Sequence, residues 1–232
     1  MTPLQKILCA SKRAWSLLLQ HSSNPSQSPL CAVLLAAGSG SRLGYPKAAL
    51  ELKGTWMLPR LVRSLRQGGA THVTVVLSAE SQTSIEKKSE LGADQILLNS
   101  SPEKGRTGSI LLALHSLPTD MEALLVHPCD IPLLSSSAVN RLVQAWRAAK
   151  EPTKTLARLV TPGGRGGHPL LVPSGRLSTL RMFGPSQSLR DLLHESPEFL
   201  LNVSLPGDPG PFLDVDTPEQ LHLLESLLRQ TP

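Results

Sequence analysis

The chain has 232 residues, and its 40% hydrophobic and 18% charged residues are typical of a globular protein and exclude wholesale disorder. Only 3% of the residues are aromatic, so we expect an aliphatic core and no main activity that depends on stacking bases on aromatic rings. No run of about 18 apolar residues occurs, which predicts that the chain has no transmembrane helix. Three cysteines lack the spacing of a disulfide framework or a zinc site, and this favours a reducing, cytoplasmic compartment.

The positive charge is unevenly distributed. The net charge is +5, and three of these charges lie in residues 1–30, which contain no acid. The rest is nearly balanced and lacks a basic run, so we predict no nucleic-acid binding. A Ser/Asn/Pro-rich stretch at 21–29 is typical of a linker. We therefore expect residues 1–30 to form a poorly ordered N-terminal extension, with an organelle transit peptide as the alternative, and residues 31–232 to form one domain.

The first half of the chain alternates strands with helices. An apolar run at 31–37, followed by glycines, indicates a strand buried on both faces, as in a parallel sheet. By the same criteria we expect further strands at 72–78, 95–98 and 123–126, and helices at 58–67, 81–91, 108–117 and 135–150. This alternation predicts an α/β fold with a doubly wound, mostly parallel (mixed) sheet.

The second half is less regular. We expect strands at 155–160, 170–172 and 199–205, a glycine-rich turn at 163–169, and helices at 186–194 and 217–229. The last helix has good start signals, because Thr217 can cap it and Pro218 suits its first position.

The loop after the first strand carries the clearest chemical signal. Small residues let backbone N–H groups approach an anion, and Arg42 and Lys47 add positive charge suited to a triphosphate. The loop is not a Walker loop, because Gly44 is followed by Tyr45, and Gly44 comes one residue too late for a dinucleotide fingerprint. Ligands of open α/β sheets bind at the carboxyl ends of the strands. Polar residues follow the other strands too, at Ser78, Asn99–Ser109 and Asp130.

The run L-A-A-G-S-G-S-R-L-G-x-x-K at residues 35–47 resembles the signature of nucleotidyltransferases with a glycosyltransferase-A-like fold. The likeness is closer to the molybdenum cofactor branch, which includes the molybdopterin cytidylyltransferases. Further matching elements follow in that family's order: Asn99-x5-Gly105-x3-Ser109, Cys129-Asp130-Ile131-Pro132, Gly167-His168-Pro169, Leu189-Arg190 and Asp214-Val215-Asp216-Thr217-Pro218. The resemblance implies a glycosyltransferase-A/Rossmann-like nucleotidyltransferase domain over residues 31–232.

The resemblance also implies roles for individual residues. Asp130 and Asp216 would hold Mg²⁺, which binds a few carboxylates together with phosphate oxygens. Lys47 and Arg42 would act with Asp130 in catalysis, Lys47 near the α-phosphate. The acceptor substrate would meet His168 and Arg190. The nucleotide would contact the glycine loop and the segments after the next strands, at Leu35, Ala36, Ala37, Gly38, Lys47, Ser78, Gly105 and Ser109.

Structural alternatives and departures accompany this interpretation. Asp130 could merely cap a turn, and His168 could be a structural histidine. Arg106 stands where the cytidylyltransferases more often show a serine cluster, and Cys129 precedes Asp130 where many of them have Asp-Gln-Pro. These departures leave the acceptor open. Ala37 argues against the guanylyltransferase branch, which usually reads L-A-G-G.

We therefore expect a Mg²⁺-dependent nucleotidyltransferase that moves an NMP, most readily CMP from CTP, onto a phosphorylated acceptor such as molybdopterin and releases pyrophosphate. We expect a molybdoenzyme or its maturation chaperone as protein partner, no membrane contact, and a monomer or weak dimer. Two alternatives stay open. One is a cytidylyl- or sugar-phosphate nucleotidyltransferase that uses another small phosphorylated metabolite. The other is a non-catalytic nucleotide-binding homologue, which the presence of Lys47 and Asp130 disfavours.

Overall fold

The computed structural model describes residues 28–230 apart from 39, 86–87 and 185. The strands are β1 (Leu30–Ala36), β2 (Glu51–Leu52), β3 (Thr55–Trp56), β4 (His72–Ser78), β5 (Gln95–Asn99), β6 (Ala123–Pro128), β7 (Leu156–Val160), β8 (Gly166–Pro173) and β9 (Leu200–Ser204). The α-helices are α1 (Met57–Gln67), α2 (Ala79–Thr83), α3 (Gly105–Leu114), α4 (Ser136–Arg147), α5 (Leu177–Arg181), α6 (Leu189–Glu195) and α7 (Pro218–Gln230).

Seven strands form one mixed sheet in the order β5-β4-β1-β6-β8-β7-β9. Strand β1 pairs in parallel with β4 and β6, whereas β8 runs antiparallel to both of its neighbours, β6 and β7. The carboxyl ends of β1 and β6 therefore lie beside the start of β8. This arrangement confirms the predicted mixed α/β sheet and brings three separate loops to one edge.

Helices cover both faces of the sheet because its central strand is apolar on both sides. Alternate β1 residues face opposite layers: Leu34 packs in the core beneath α1 and α4, and Val33 packs in the core beneath α3, α5 and α6. Both side chains are fully buried. Burial of each such aliphatic side chain contributes about 1.5–3 kcal/mol before the entropy of ordering is counted. The continuous apolar run at 31–37 thus reflects two-sided burial.

A third apolar cluster packs the last helix against the β2–β3 hairpin and the residues that precede it. Leu224 of α7 packs with Leu52 of the β2–β3 hairpin, and Val215 joins the same cluster. Lys53, between the hairpin strands, donates a 2.6 Å hydrogen bond from Nζ to the carbonyl oxygen of Leu228. The segment that precedes α7 is therefore held against the loop that follows β1.

The helix expected at 81–91 is wrong as a single element. The structure has α2 at Ala79–Thr83 and a separate 3₁₀ turn at Lys88–Leu91. The hydroxyls of Thr83 and Ser84 both donate to the carbonyl oxygen of Glu80, at 2.8 and 3.0 Å. Such local side-chain bonds compete with helix continuation.

The glycine-rich segment expected as a turn is mostly strand. β8 begins at Gly166 and includes His168, so only the preceding residues turn. Helix α3 begins one turn earlier than expected, and α6 starts at Leu189 because Ser188 forms a capping box with Asp191. The β2–β3 hairpin and α5 were not expected.

Residues 1–27 lie outside the described residues, so the extension expected at 1–30 stays a prediction for nearly all of its length. In the part of the chain that the structure describes, none of the helices combines the length and apolar character that crossing a membrane requires.

Candidate active site

The glycine loop returns the chain to the sheet edge in a tight turn. Gly40 has φ +64°, and a Cβ atom there would overlap the carbonyl oxygen of Tyr45. The turn closes with a 2.8 Å hydrogen bond from the Leu43 N–H to the Gly40 carbonyl oxygen. Only glycine fits this conformation at low cost. The turn delivers Lys47, at the start of a 3₁₀ turn, to the carboxyl ends of β1 and β6.

Two aspartates that are distant in sequence meet at the same place. Asp130 lies in the turn that follows β6, and the Val215 N–H donates a 2.7 Å hydrogen bond to its carbonyl oxygen. This backbone contact puts Asp216 beside Asp130. The packing of α7 on the hairpin keeps the contact in place.

A cluster of ion pairs joins these side chains. Lys47 Nζ donates to Asp130 Oδ2 at 2.9 Å and also to Asp216 Oδ1. Arg106 Nη2 donates to the same Asp130 Oδ2 at 3.0 Å, and Arg42 Nη1 lies 3.9 Å from Asp216 Oδ2. Three cationic side chains thus surround two carboxylates. The cluster has a net positive charge, which suits an incoming polyanion.

The shared lysine stays protonated. Burial by itself lowers the pKa of Lys47, but the hydrogen bonds to Asp216 and Asp130 outweigh it and raise the pKa above the ordinary lysine value. The hydrogen bond from Lys47 also lowers the pKa of Asp216 below its usual range. Both groups are therefore charged at neutral pH.

A small cleft of about 170 Å³ opens beside this cluster. Lys47, Asp130, Arg106 and Cys129 line it with residues of the glycine loop and of the α3 start: Leu35, Ala37, Gly38, Pro102, Gly105, Ser109 and Pro128. We call it the loop cleft. Burial raises the pKa of the Cys129 thiol to about 12, so this cysteine is not a thiolate nucleophile.

A larger cleft of about 810 Å³ adjoins the loop cleft and shares Leu35, Arg106 and Pro128 with it. Its cations are Arg106, Arg158 and Arg190, and none of its described lining residues is a carboxylate. One wall is apolar, formed by Ile110, Val126, Leu170, Leu189, Leu193 and Leu200. We call it the arginine cleft. Its composition favours a ligand with both an anionic group and an apolar or flat body.

Two histidines stand behind the arginine cleft. His168 lines the cleft, and its ring meets the fully buried ring of His127 edge to face, with centroids 6.2 Å apart. Burial lowers the pKa of His127 to about 3, and burial followed by the nearby Arg106 charge lowers that of His168. Both rings are therefore neutral at pH 7.

The structure brings most of the sequence-predicted site residues to these two clefts. His168 and Arg190 line the arginine cleft, and Gly105 and Ser109 line the loop cleft. Ser78 lines neither, because its buried hydroxyl caps α2 by accepting a bond from the Ser81 N–H. The Ala36 side chain points into the core on the opposite face. Arg42 is exposed and reaches the cluster at its rim.

Sequence reasoning missed part of the arginine cleft. Arg158, in β7, had no motif around it, and its Nε donates to Asn202 Oδ1 at 2.8 Å across to β9. His127 carried no signal in the sequence beyond its position at the end of the buried strand expected at 123–126. Arg106 was visible as a departure from the family pattern, but its contact with Asp130 depends on tertiary structure.

The chain was compared with known proteins. A family model described as a MobA-like NTP transferase domain matches residues 32–202. The crystal structure of the Mycobacterium tuberculosis Rv0371c homologue from Mycobacterium sp. strain JC1 superposes with a TM-score of 0.72 at 25% identity, and the match covers 89% of this chain and 100% of that one.

Two curated relatives match over most of their length. The nicotine blue oxidoreductase of Paenarthrobacter nicotinovorans is 31% identical over 195 residues, which cover 83% of this chain and 94% of the relative. The molybdenum cofactor guanylyltransferase of Rhizobium meliloti is 31% identical over 206 residues, covering 85% and 91%.

Proposed function

Because the chain belongs to the MobA-like NTP transferase family and is an enzyme of the nucleotidyltransferase type, we propose that it transfers CMP from CTP to a phosphorylated acceptor such as molybdopterin. The observation that carries this proposal is the position of Lys47. It bridges Asp130 and Asp216 beside the loop cleft, and the adjoining arginine cleft has no carboxylate among the lining residues that the structure describes.

The two aspartates fit a divalent cation. Mg²⁺ binds one or two carboxylates and takes its other ligands from phosphate oxygens and water. The described residues contain no cluster of three or more metal-ligating side chains, so a bound triphosphate would complete the ligand set. Asp130 and Asp216 would hold Mg²⁺, which when bound neutralises charge on the triphosphate.

Nucleotidyl transfer leaves little covalent work to the protein. An oxygen of the acceptor's phosphate attacks the α-phosphorus of CTP, the bond between the α-phosphorus and the bridging oxygen to the β-phosphorus breaks, and its electron pair leaves on pyrophosphate. Lys47 and Arg42 lie where they can stabilise the charge that builds on the phosphates. Backbone N–H groups of residues 36–38 would hold the nucleotide in place.

The loop cleft supports a pyrimidine donor. Ala37 lines it where the guanylyltransferase branch has a second glycine, and its methyl group narrows a space of about 170 Å³. Ser109 also lines this cleft and accepts a 2.9 Å hydrogen bond from Asn99 Nδ2, so two buried polar groups would lie close to the base. The choice of CTP over the other nucleoside triphosphates is part of the proposal.

The arginine cleft supports a phosphorylated acceptor with an apolar or flat body. Arg190 and Arg158 offer guanidinium groups, which bind phosphate through two parallel hydrogen bonds. The leucine-rich wall would cover the remainder of the molecule. A molybdoenzyme or maturation-chaperone partner, a monomeric or weakly dimeric state and a cytoplasmic location remain predictions.

The proposal is tested by incubating the protein with each of CTP, GTP and ATP, with Mg²⁺ and with molybdopterin, and by measuring pyrophosphate release. We expect CTP with molybdopterin to give the highest kcat/KM. A panel of phosphorylated sugars and polyols replaces molybdopterin in parallel reactions.

Each outcome selects one function. If only a phosphorylated sugar or polyol supports turnover, the protein is a nucleotidyltransferase for another metabolite. If GTP is preferred over CTP, the proposal that cytosine is the donor's base is overturned. Nucleotide binding without turnover on any acceptor, measured by the thermal shift that CTP produces, indicates a non-catalytic homologue.

A further inference from the structure

Arg106 occupies the boundary between the two clefts. It lines both of them, in the first turn of α3, and follows Gly105, whose φ of +72° turns the chain into the helix. The other residues common to both clefts are Leu35 and Pro128, so Arg106 is the charged group among the shared lining residues. Any ligand pair bound in the two clefts meets at this side chain.

In the ligand-free structure Arg106 is bound to Asp130, the carboxylate that would bind the divalent cation under the proposed function. Its Nη2 lies 3.0 Å from Asp130 Oδ2, and Lys47 Nζ lies 2.9 Å from the same oxygen. The Asp130 side chain is only 8% exposed. Two cationic donors therefore cover an oxygen that a divalent cation would need.

Arg106 is held loosely at this position. Its side chain is 66% exposed, and an ion pair with an exposed partner contributes little because water and salt screen it. On its other side lies the arginine cleft, which has Arg158 and Arg190 and no carboxylate among its described lining residues. A phosphate there would find a third guanidinium within reach once Arg106 leaves Asp130.

We propose that Arg106 is an exchange residue: it covers Asp130 in the ligand-free protein, leaves it when the carboxylate takes a divalent cation, and then binds the anionic group of the acceptor in the arginine cleft. The proposal rests on the proposed function for the identity of the acceptor. It makes acceptor binding stronger after the donor site is loaded. Arg106 is thus a binding residue that links the two substrates.

The first experiment uses Mn²⁺ alone, without nucleotide, and measures its binding from the electron paramagnetic resonance signal of the free ion. Arg106→Gln removes a competitor from Asp130, so we expect Mn²⁺ to bind about threefold to tenfold more tightly than to the native protein. Arg158→Gln is the matched control. It removes the same charge from the same cleft, but Arg158 does not contact either aspartate, so its Mn²⁺ affinity should equal the native value.

The second experiment measures inorganic phosphate binding by calorimetry, with and without saturating Mn²⁺ and a non-hydrolysable CTP analogue. In the native protein the loaded donor site should raise phosphate affinity. We compare the phosphate affinity of the loaded protein with that of the unloaded protein. This ratio should be at least about threefold larger in the native protein than in Arg106→Gln. Arg106→Lys, which keeps the charge without the fork, should fall between the two.

The outcomes separate this proposal from the proposed function. Unchanged or weaker Mn²⁺ binding in Arg106→Gln, including no binding in either protein, overturns the exchange. If loading the donor site changes the phosphate affinity by the same factor in both proteins, Arg106 does not bind the anionic group of the acceptor. A native protein that binds no CTP analogue defeats the proposed function, while the nucleotide-free Mn²⁺ experiment still decides whether Arg106 covers Asp130.

Discussion

The two clefts share an edge of the sheet but are built differently. The loop cleft is formed by three short segments, after β1, around the start of α3 and at the end of β6, and its charged side chains, Lys47, Asp130 and Arg106, form one cluster. The arginine cleft takes residues from α3, β6, β7, β8, α6 and β9, and burial keeps His168 in its wall and His127 behind it neutral. The difference teaches that short sequence motifs mark most of the loop cleft, whereas the arginine cleft depends on how more widely separated elements pack.

The largest effect should come from the carboxylates that bind Lys47. Asp216→Asn removes a charge that Lys47 contacts, and we expect kcat for pyrophosphate release to fall about 100- to 1,000-fold. Asp214→Asn is the control, because Asp214 is half exposed and its nearest cation, Arg165, is 3.9 Å away. That variant should stay within about twofold of the native rate. Equal losses in both variants would show that the loop, rather than the Asp216 carboxylate, matters.

The next effect should separate the two clefts kinetically. Arg190→Gln removes a guanidinium from the arginine cleft, so we expect the KM of the acceptor to rise about 10- to 100-fold. The KM of CTP should change by less than about twofold, because Arg190 does not line the loop cleft. Arg181→Gln, on α5 and outside both clefts, is the control. A change in the KM of CTP alone would contradict the assignment of the arginine cleft to the acceptor.

A smaller effect is expected from the close approach behind β8. A Cβ atom at Gly167 would lie 2.5 Å from Cε1 of the Phe212 ring and 2.8 Å from the Pro211 carbonyl oxygen. Gly167→Ala should lower the free energy of unfolding by about 1–3 kcal/mol, measured by urea denaturation. Gly163→Ala meets nothing closer than 3.9 Å and should change it by less than about 0.5 kcal/mol. If the two variants had the same free energy of unfolding, β8 could shift to accept the added methyl group. The contact between Gly167 and Phe212 would then not hold His168 in position.

The smallest effect is a pH dependence of stability. Burial first, and the nearby His168 second, lower the pKa of His127 from its ordinary value of 6.5 to about 3. Between these two pH values the unfolded chain binds a proton at His127 that the folded protein does not bind. The stability that neutral His127 provides is complete above about pH 6.5 and declines towards lower pH by up to about 1.4 kcal/mol per pH unit. His127→Gln should lose this slope in urea denaturation between about pH 7 and about pH 5. Parallel slopes for both proteins would mean that the His127 ring is protonated in the fold.

Several features of the loop cleft were predictable because they depend on neighbouring residues. The apolar run before the glycines marks a buried strand, and the small residues that follow it mark the tight turn before Lys47. The Asp130 turn follows another buried strand. Even the mixed sheet followed from alternating strands and helices with an irregular second half.

Other features were not predictable because no local pattern encodes them. The stretch at 166–169 has turn composition, yet it becomes strand since Gly166 pairs with Val160 of β7 and the chain from Leu170 onward pairs with both β6 and β7. Ser78 stands at a strand end, as a nucleotide contact would, but it caps the next helix.

By itself, the sequence determined the α/β class and the strand that leads into the glycine loop, because both depend on periodicity or on neighbouring residues, and its resemblance to the nucleotidyltransferases singled out Lys47, Asp130 and Asp216. Only the tertiary structure decided that Lys47 bridges two aspartates 86 residues apart, since the Val215–Asp130 backbone bond and the packing of α7 bring them together. It also decided that Arg106 contacts Asp130 and that Arg158 and Arg190 line the same cleft. Such contacts arise from the meeting of strands and helices in space, which spacing along the chain does not specify.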